Sequence, residues 1–214
     1  MVDACTRLFL MDLSFSELKD LIFNASLGSN LPAGIGEDLS MAVTFLESRS
    51  LPGGKEFLNS LECERHPTLP PQKKGSHLIF CNARAIFEGV AAIDFLVSEV
   101  CERVILKNID SQMLLLGLAS NYRGSSFSFY KNKRVCAGIF NDGLFYKQEY
   151  NKSNNDIEIF LKDSQLKNPL PQCTRMSLDK KTFQELIKLA SNMLVPESEL
   201  SREKGAGAGN IDND

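Results

Sequence analysis

The residues of this sequence best equipped for chemistry are few. His66 and His77 are its two histidines, and six cysteines stand at 5, 63, 81, 101, 136 and 173, none of them in a CxxC pair. Cys63, His66, His77 and Cys81 read C-x2-H-x10-H-x3-C, superficially a tetrahedral zinc set. If His77 and Cys81 share one strand they stand about 13 Å apart at ~3.3 Å per residue, too far to hold one ion, so no metal is expected. With one histidine before a proline and the other at a strand start, Ser-His-Asp and Cys-His arrangements have little support. Ser177-Leu-Asp-Lys180 matches the S-x-x-K pattern of serine acyl-enzymes, but the companion boxes are missing and Asp179 is better read as the cap of a last helix.

The carboxylates and cations divide in the same way. Glu37 and Asp38, placed in the first turn of a second helix beside a glycine-rich loop, form either an acidic site or a pair favoured by the helix dipole, and the second reading is preferred. Glu88, Asp94 and Glu99 border a crossover helix and read as a solvated face. Lys131, Lys133 and Arg134 are the one local basic patch, best explained by a hairpin turn, so no nucleic-acid partner is expected.

The elements that position these residues follow from periodicity and punctuation. Ser14 with Glu17 forms a capping box, and Leu13 with Leu18 has the spacing of a hydrophobic staple. The helix begun there buries Leu18, Leu21, Ile22 and Ala25 and ends at Gly28; a second helix shows Ile35, Leu39, Ala42, Val43 and Leu46 on one face. Leu51-Pro-Gly-Gly54 stops it, and Phe57, Leu58 and Leu61 predict one further short turn. Strands are predicted at His77–Cys81 and Arg103–Lys107, with a helix over 85–98 delayed by Gly89, which together make a parallel crossover. Asp110 is the expected cap of an almost wholly apolar helix over 111–121. Phe127 and Phe129, 135–140, 144–148, and then Ile157, Ile159 and Leu161 read as an antiparallel meander, with turns at 131–133 and 141–143. Phe183, Leu186, Ile187, Ala190 and Leu194 form the face of a last helix expected to dock on the sheet.

Together these predict an α+β fold: a mixed, mainly antiparallel sheet with an N-terminal helix pair, one βαβ-like crossover and a C-terminal helix, followed by a Gly/Ala tail. The expected division is a helical region at 1–69, a sheet domain at 76–196 and a flexible acidic tail at 197–214. A 43% hydrophobic composition over 214 residues is enough for a substantial core. The net charge of −3 provides no global basic surface. No apolar run approaches the roughly 20 residues of a membrane span, and Met1-Val-Asp3 lacks a basic leader, so a cytoplasmic protein with reduced cysteines and no membrane partner is expected.

The tail is unusual. Gly205, Gly207 and Gly209 alternate with alanine and precede Asn-Ile-Asp-Asn-Asp at 210–214. Such residues cannot repay their ordering entropy by burial, and with no strand before them they make no dinucleotide fingerprint. The segment is either a plain tail or a tether that carries Asp212 and Asp214 to a groove on this protein or a partner.

The segments Leu51-Pro-Gly53, Gly89-Val-Ala-Ala-Ile-Asp94, Met113-Leu-Leu-Leu116, Val195-Pro196, Ser201-Arg202, the Gly/Ala run and Asp212-Asn-Asp214 resemble domain of unknown function 3726, a bacterial family of small soluble proteins. The resemblance implies that the tail belongs to the protein's design, which makes Arg202, Gly205, Gly207, Gly209, Asp212 and Asp214 the candidate binding residues. It implies no activity, cofactor or catalytic residue. The tryptophan expected in the loop before the second helix is missing. The helix pair ending in Arg49-Ser-Leu-Pro-Gly53 is also similar to the N-terminal helices of malate- and lactate-type nicotinamide-dependent dehydrogenases, although Pro52 and Gly53 stand where that family carries its catalytic histidine.

Two functions are therefore expected of such a chain. The first is an accessory or interaction protein, a subunit of a metabolic enzyme complex that docks through its tail on a protein partner or a second copy. The alternative is a small-molecule enzyme or metabolite-binding protein with a pocket between the helix pair and the sheet and the tail as lid. Whether the chain is an enzyme is left open, and no cofactor is specified.

Overall fold

The structure, a computed structural model, describes residues 10–63, 70–141, 143–147, 156–162 and 168–193. Strand β1 (Leu10–Leu13) leads into α1 (Phe15–Gly28), which opens with the predicted capping box. The Ser14 hydroxyl accepts from the Glu17 N–H at 3.3 Å, and the Glu17 carboxylate accepts from the Ser14 N–H at 2.8 Å. Helix α2 (Ala33–Glu47) buries Leu39, Ala42, Val43 and Leu46 as expected. Because it starts at Ala33, behind Pro32, Glu37 and Asp38 fall in its second turn and not in the first, away from the dipole end.

Helix α2 does not run to the predicted stop at Leu51-Pro-Gly-Gly54: it ends at Glu47, the chain turning at Ser50 with φ 57°, and Pro52-Gly53-Gly54 instead opens α3 (Gly53–Glu62), a ten-residue helix where a short turn was expected. Proline and glycine are tolerated there because first-turn amides have no partner within the helix.

Among the described residues the main sheet has seven strands: β2 (Gln72–Lys74), β3 (His77–Cys81), β4 (Arg103–Lys107), β5 (Phe127–Lys131), β6 (Arg134–Phe140), β7 (Gly143–Tyr146) and β8 (Ile157–Leu161). Their order is β2-β3-β4-β8-β5-β6-β7. Of these strands only β3 and β4 pair in parallel, joined by a π-helical turn (Ala85–Gly89) and α4 (Val90–Val97). Strand β8 does not prolong the meander beyond β7; it returns to lie between β4 and β5, pairing antiparallel with both. Lys131 to Arg134 make a tight hairpin through positive φ at Asn132 and Lys133, which explains that basic cluster.

Helix α5 (Gln112–Ala119) is buried along its whole length between α2 and the sheet. Its cap is Ser111, whose hydroxyl accepts from the Leu114 N–H at 3.3 Å, and not Asp110 as predicted. Asp110 is engaged elsewhere, as described below. A Cβ at Gly117 would stand 2.6 Å from the Ala42 carbonyl oxygen of α2. Gly117→Ala is therefore expected to lose about 1–3 kcal/mol by overpacking, read from the midpoint of urea unfolding.

Strand β9 (Met176–Asp179), not anticipated from the sequence, pairs antiparallel with β1 in a separate two-stranded sheet. It feeds α6 (Lys180–Ser191), which Asp179 caps through the Thr182 N–H at 3.0 Å, as predicted. Helix α6 does not dock on the main sheet. It packs on α1 and α3, because α4 and α5 already lie against the sheet and because Gly28 lets the Leu189 carbonyl close on α1. Leu186 is buried, whereas Ile187, a hundred degrees further round the helix, is 47% exposed. Among the described residues no helix is long and apolar enough to cross a membrane.

Candidate functional site

The three segments the sequence left unconnected, the α2–α3 corner, the approach to β9 and the start of α6, meet around a pocket of about 500 Å³. Glu47, the last residue of α2, forms part of its lining and is 8% exposed. Its carboxylate accepts the Gly54 N–H at 2.8 Å, one of the first-turn amides of α3 that has no helical partner. Burial pushes the Glu47 carboxyl up to about 7; the nearby Asp179 adds to this, while the Gly54 and Gly53 amides oppose it. A carboxyl placed near neutrality can donate or accept a proton at ordinary pH.

Asp179 is held low, first by the Thr182 hydroxyl and N–H it accepts, and Lys55 contributes. The pocket thus carries two carboxyls pushed in opposite directions, the arrangement that separates an acid from a base. Lys55 and Arg175 are exposed at its mouth, and neither has a salt bridge among the described residues. Cys173 lies beside them, its Sγ 3.7 Å from the Ser50 hydroxyl, and its N–H is held by the Ser48 carbonyl at 2.6 Å.

Of the residues singled out in the sequence, Ser177 and Asp179 reach this pocket, but not as an acyl-enzyme pair. The Ser177 hydroxyl donates to Asp12 across the two-stranded sheet at 2.6 Å, and Lys180 opens α6. Arg202, Gly205, Gly207, Gly209, Asp212 and Asp214 lie outside the described residues, as do His66 and Cys5. His77 and Cys81 occupy opposite ends of β3, and among the described residues no cluster of three or more histidine, cysteine or acidic side chains could hold a metal. Cys63, Cys81, Cys101, Cys136 and Cys173 are free thiols; burial pushes Cys136 up to about 11, which marks it as a core residue. Glu88 accepts the Arg84 N–H at 2.8 Å, and Asp94 accepts the Tyr122 hydroxyl. Asp38 is raised by burial and then by Asp94 and Glu37. Of the face predicted to be solvated, Asp94 and Glu99 are exposed and Glu88 is half-buried, with Glu88 and Asp94 also hydrogen-bonded locally.

Glu47, Lys55, Cys173 and Arg175 were missed. Glu47 had one legible signal: it stands four residues after Val43 and eight after Leu39, on the flank of the buried stripe of α2. Cys173 and Arg175 carried none.

A model of the family described as Protein of unknown function (DUF3726) matches residues 13–84, in agreement with the resemblance read from the sequence. The match runs from Leu13, the last residue of β1, to Arg84, and so includes Glu47 and Lys55 but not the tail. No curated protein matches the chain. Among solved structures, malate dehydrogenase from Pyrococcus horikoshii OT3 is 11% identical with a TM-score of 0.44, over 56% of this chain and 40% of that one. Malate dehydrogenase from Entamoeba histolytica is 10% identical with a TM-score of 0.41, over 56% and 38%. The aligned part thus spans about two fifths of those enzymes, and a likeness this weak assigns no activity here.

Proposed function

We propose that the chain binds a small anionic metabolite, a carboxylate or phosphate ester, in the Glu47 pocket, with Glu47 exchanging a proton as the ligand enters. The observation that carries this reading is a buried carboxyl poised near pH 7 beneath Lys55 and Arg175, two cations with no salt-bridge partner among the described residues. A bound anion disfavours ionised Glu47, so binding near neutrality takes up a proton. Calorimetry at pH 7 with dicarboxylates and sugar phosphates, in buffers of different ionisation enthalpy, is expected to show binding with proton uptake; which set binds separates the two ligand chemistries. Failure of every anion to bind at millimolar concentration, or binding without uptake, overturns the reading. Cys173 offers an independent check: maleimide on this exposed thiol is expected to block the pocket, and full ligand affinity after labelling would count against it.

The tail supplies a second proposal. Asp212 and Asp214 carry the sign that Lys55 and Arg175 attract, and Gly205, Gly207 and Gly209 permit a turn back towards them, with Arg202 placed before the run. The roughly 20 residues between the end of α6 and Asp212 can span about 60 Å, more than the ~18 Å length of that helix. Removing the chain after Pro196 is expected to change affinity for the anions above. Unchanged affinity together with a partner lost on truncation would place the tail on another protein, as in the accessory reading.

A further inference from the structure

We propose that a second pocket, at the C-terminal end of α3, binds an apolar monocarboxylic acid through Arg84. This pocket, of about 440 Å³, is walled by Leu31, Leu58, Leu61, Ile86 and Phe87, and Arg84 is part of its lining. Apolar walls around one convergent cation are the pattern of a site for an amphipathic small molecule.

Arg84 is the second, independent observation. It is 7% exposed, yet its charge is only partly answered. One Nη donates to the Ser60 carbonyl at 2.6 Å, the guanidinium lies 5.3 Å from the Phe87 ring centre, and the buried Nε has no hydrogen-bond partner among the described residues. Asp110 is the only carboxylate in salt-bridge range among the described residues, and it stands 3.9 Å from Nε. Its oxygens are already committed to the Ser60 hydroxyl at 2.6 Å, the Ala85 N–H at 2.7 Å and the Ser111 N–H at 2.6 Å. A buried guanidinium left in this state favours a further carboxylate. The rim carries charge of both signs, with Lys188 and Glu62 exposed there and Glu185 paired with Lys181 at 3.8 Å, so the buried cation is the one that faces the apolar walls. Six apolar side chains around one buried cation fit one acid group on a hydrocarbon or aromatic body. A dianion or a polar metabolite would leave charge against leucines.

Octanoate is the probe, with 1-octanol as its uncharged counterpart. Calorimetry on the full chain is expected to show octanoate binding at least tenfold more tightly than octanol, with methyl resonances of Leu31, Leu58, Leu61 and Ile86 shifting in step. Arg84→Met is expected to weaken octanoate at least tenfold and to leave octanol unchanged. If Arg84→Met does not fold, Leu61→Trp decides: it fills the pocket, keeps the guanidinium and is expected to abolish binding. The Lys55→Ala/Arg175→Ala double variant is expected to bind octanoate normally, which separates this site from the Glu47 pocket. Absent binding, equal binding of octanol, affinity unchanged by Leu61→Trp, or affinity lost in the double variant each overturns the proposal.

Discussion

Glu47→Gln is expected to remove a pH dependence from the stability of this protein and to leave it more stable than the parent at pH 8. In the folded chain the Glu47 carboxyl titrates at about 7 against an ordinary value of 4.5. Between those values the folded state binds more protons than the unfolded state, so stability falls as pH rises from 4.5 through 7. At full ionisation the difference is worth roughly 3 kcal/mol. Glutamine keeps an oxygen for the Gly54 N–H and carries no charge to desolvate, so the loss disappears. Urea unfolding at pH 5 and pH 8 measures it: parent and variant should lie close together at pH 5 and separate at pH 8. The same variant is expected to bind anions without proton uptake. A parent whose stability is flat from pH 5 to pH 8 would mean that Glu47 is solvated and that the proposed site has lost its basis.

Asp110→Ala is expected to cost more than any other single carboxylate change among the described residues, about 3–5 kcal/mol, because it strands a buried guanidinium. Asp110 joins four residues from three parts of the chain through its two oxygens: Ser60 of α3, Arg84 and Ala85 at the start of the π-helical turn, and Ser111 before α5. Alanine leaves the Ser60 hydroxyl and the Ala85 and Ser111 amides without their acceptor and Arg84 without its counter-charge. Asp110→Asn separates charge from hydrogen bonding, since its carbonyl oxygen can still take the two amides while the Ser60 hydroxyl reverses to accept from its amide nitrogen. Asparagine should then cost about half as much, leaving Arg84 as the remaining unpaired group. Chemical denaturation at pH 7 compares the two, and a loss from alanine below about 1 kcal/mol would show that the Asp110 network is solvated.

Much of the scaffold could be read from local pattern. Strands β3 and β4 were predicted to the residue because short apolar runs between polar ends have few alternatives, and the capping box of α1 needs only Ser14 and Glu17. The errors fell where a local rule met a distant partner. Asp110 looks like a cap for α5 until Ser60 and Ala85 compete for its oxygens, and Ser111 takes the role. Pro52-Gly53-Gly54 looks like a stop until α3 is seen to start there. Helix α6 looks like a sheet-docking helix, but nothing in its own residues says that Gly28 will admit its backbone.

The sequence by itself determined the α+β class, the parallel crossover and the wholly buried α5, because each rests on the spacing of apolar residues within one segment. Only the tertiary structure decided the candidate sites. Glu47 differs from any other helix-terminal glutamate through desolvation, the Gly54 amide and the charge of Asp179 far along the chain. Arg84 differs from a surface arginine through α3, α6, the loop between α1 and α2 and the π-helical turn that close around it. Desolvation and partial charge pairing are properties of what surrounds a side chain, and that is set by how α2, α3, β9 and α6 pack together.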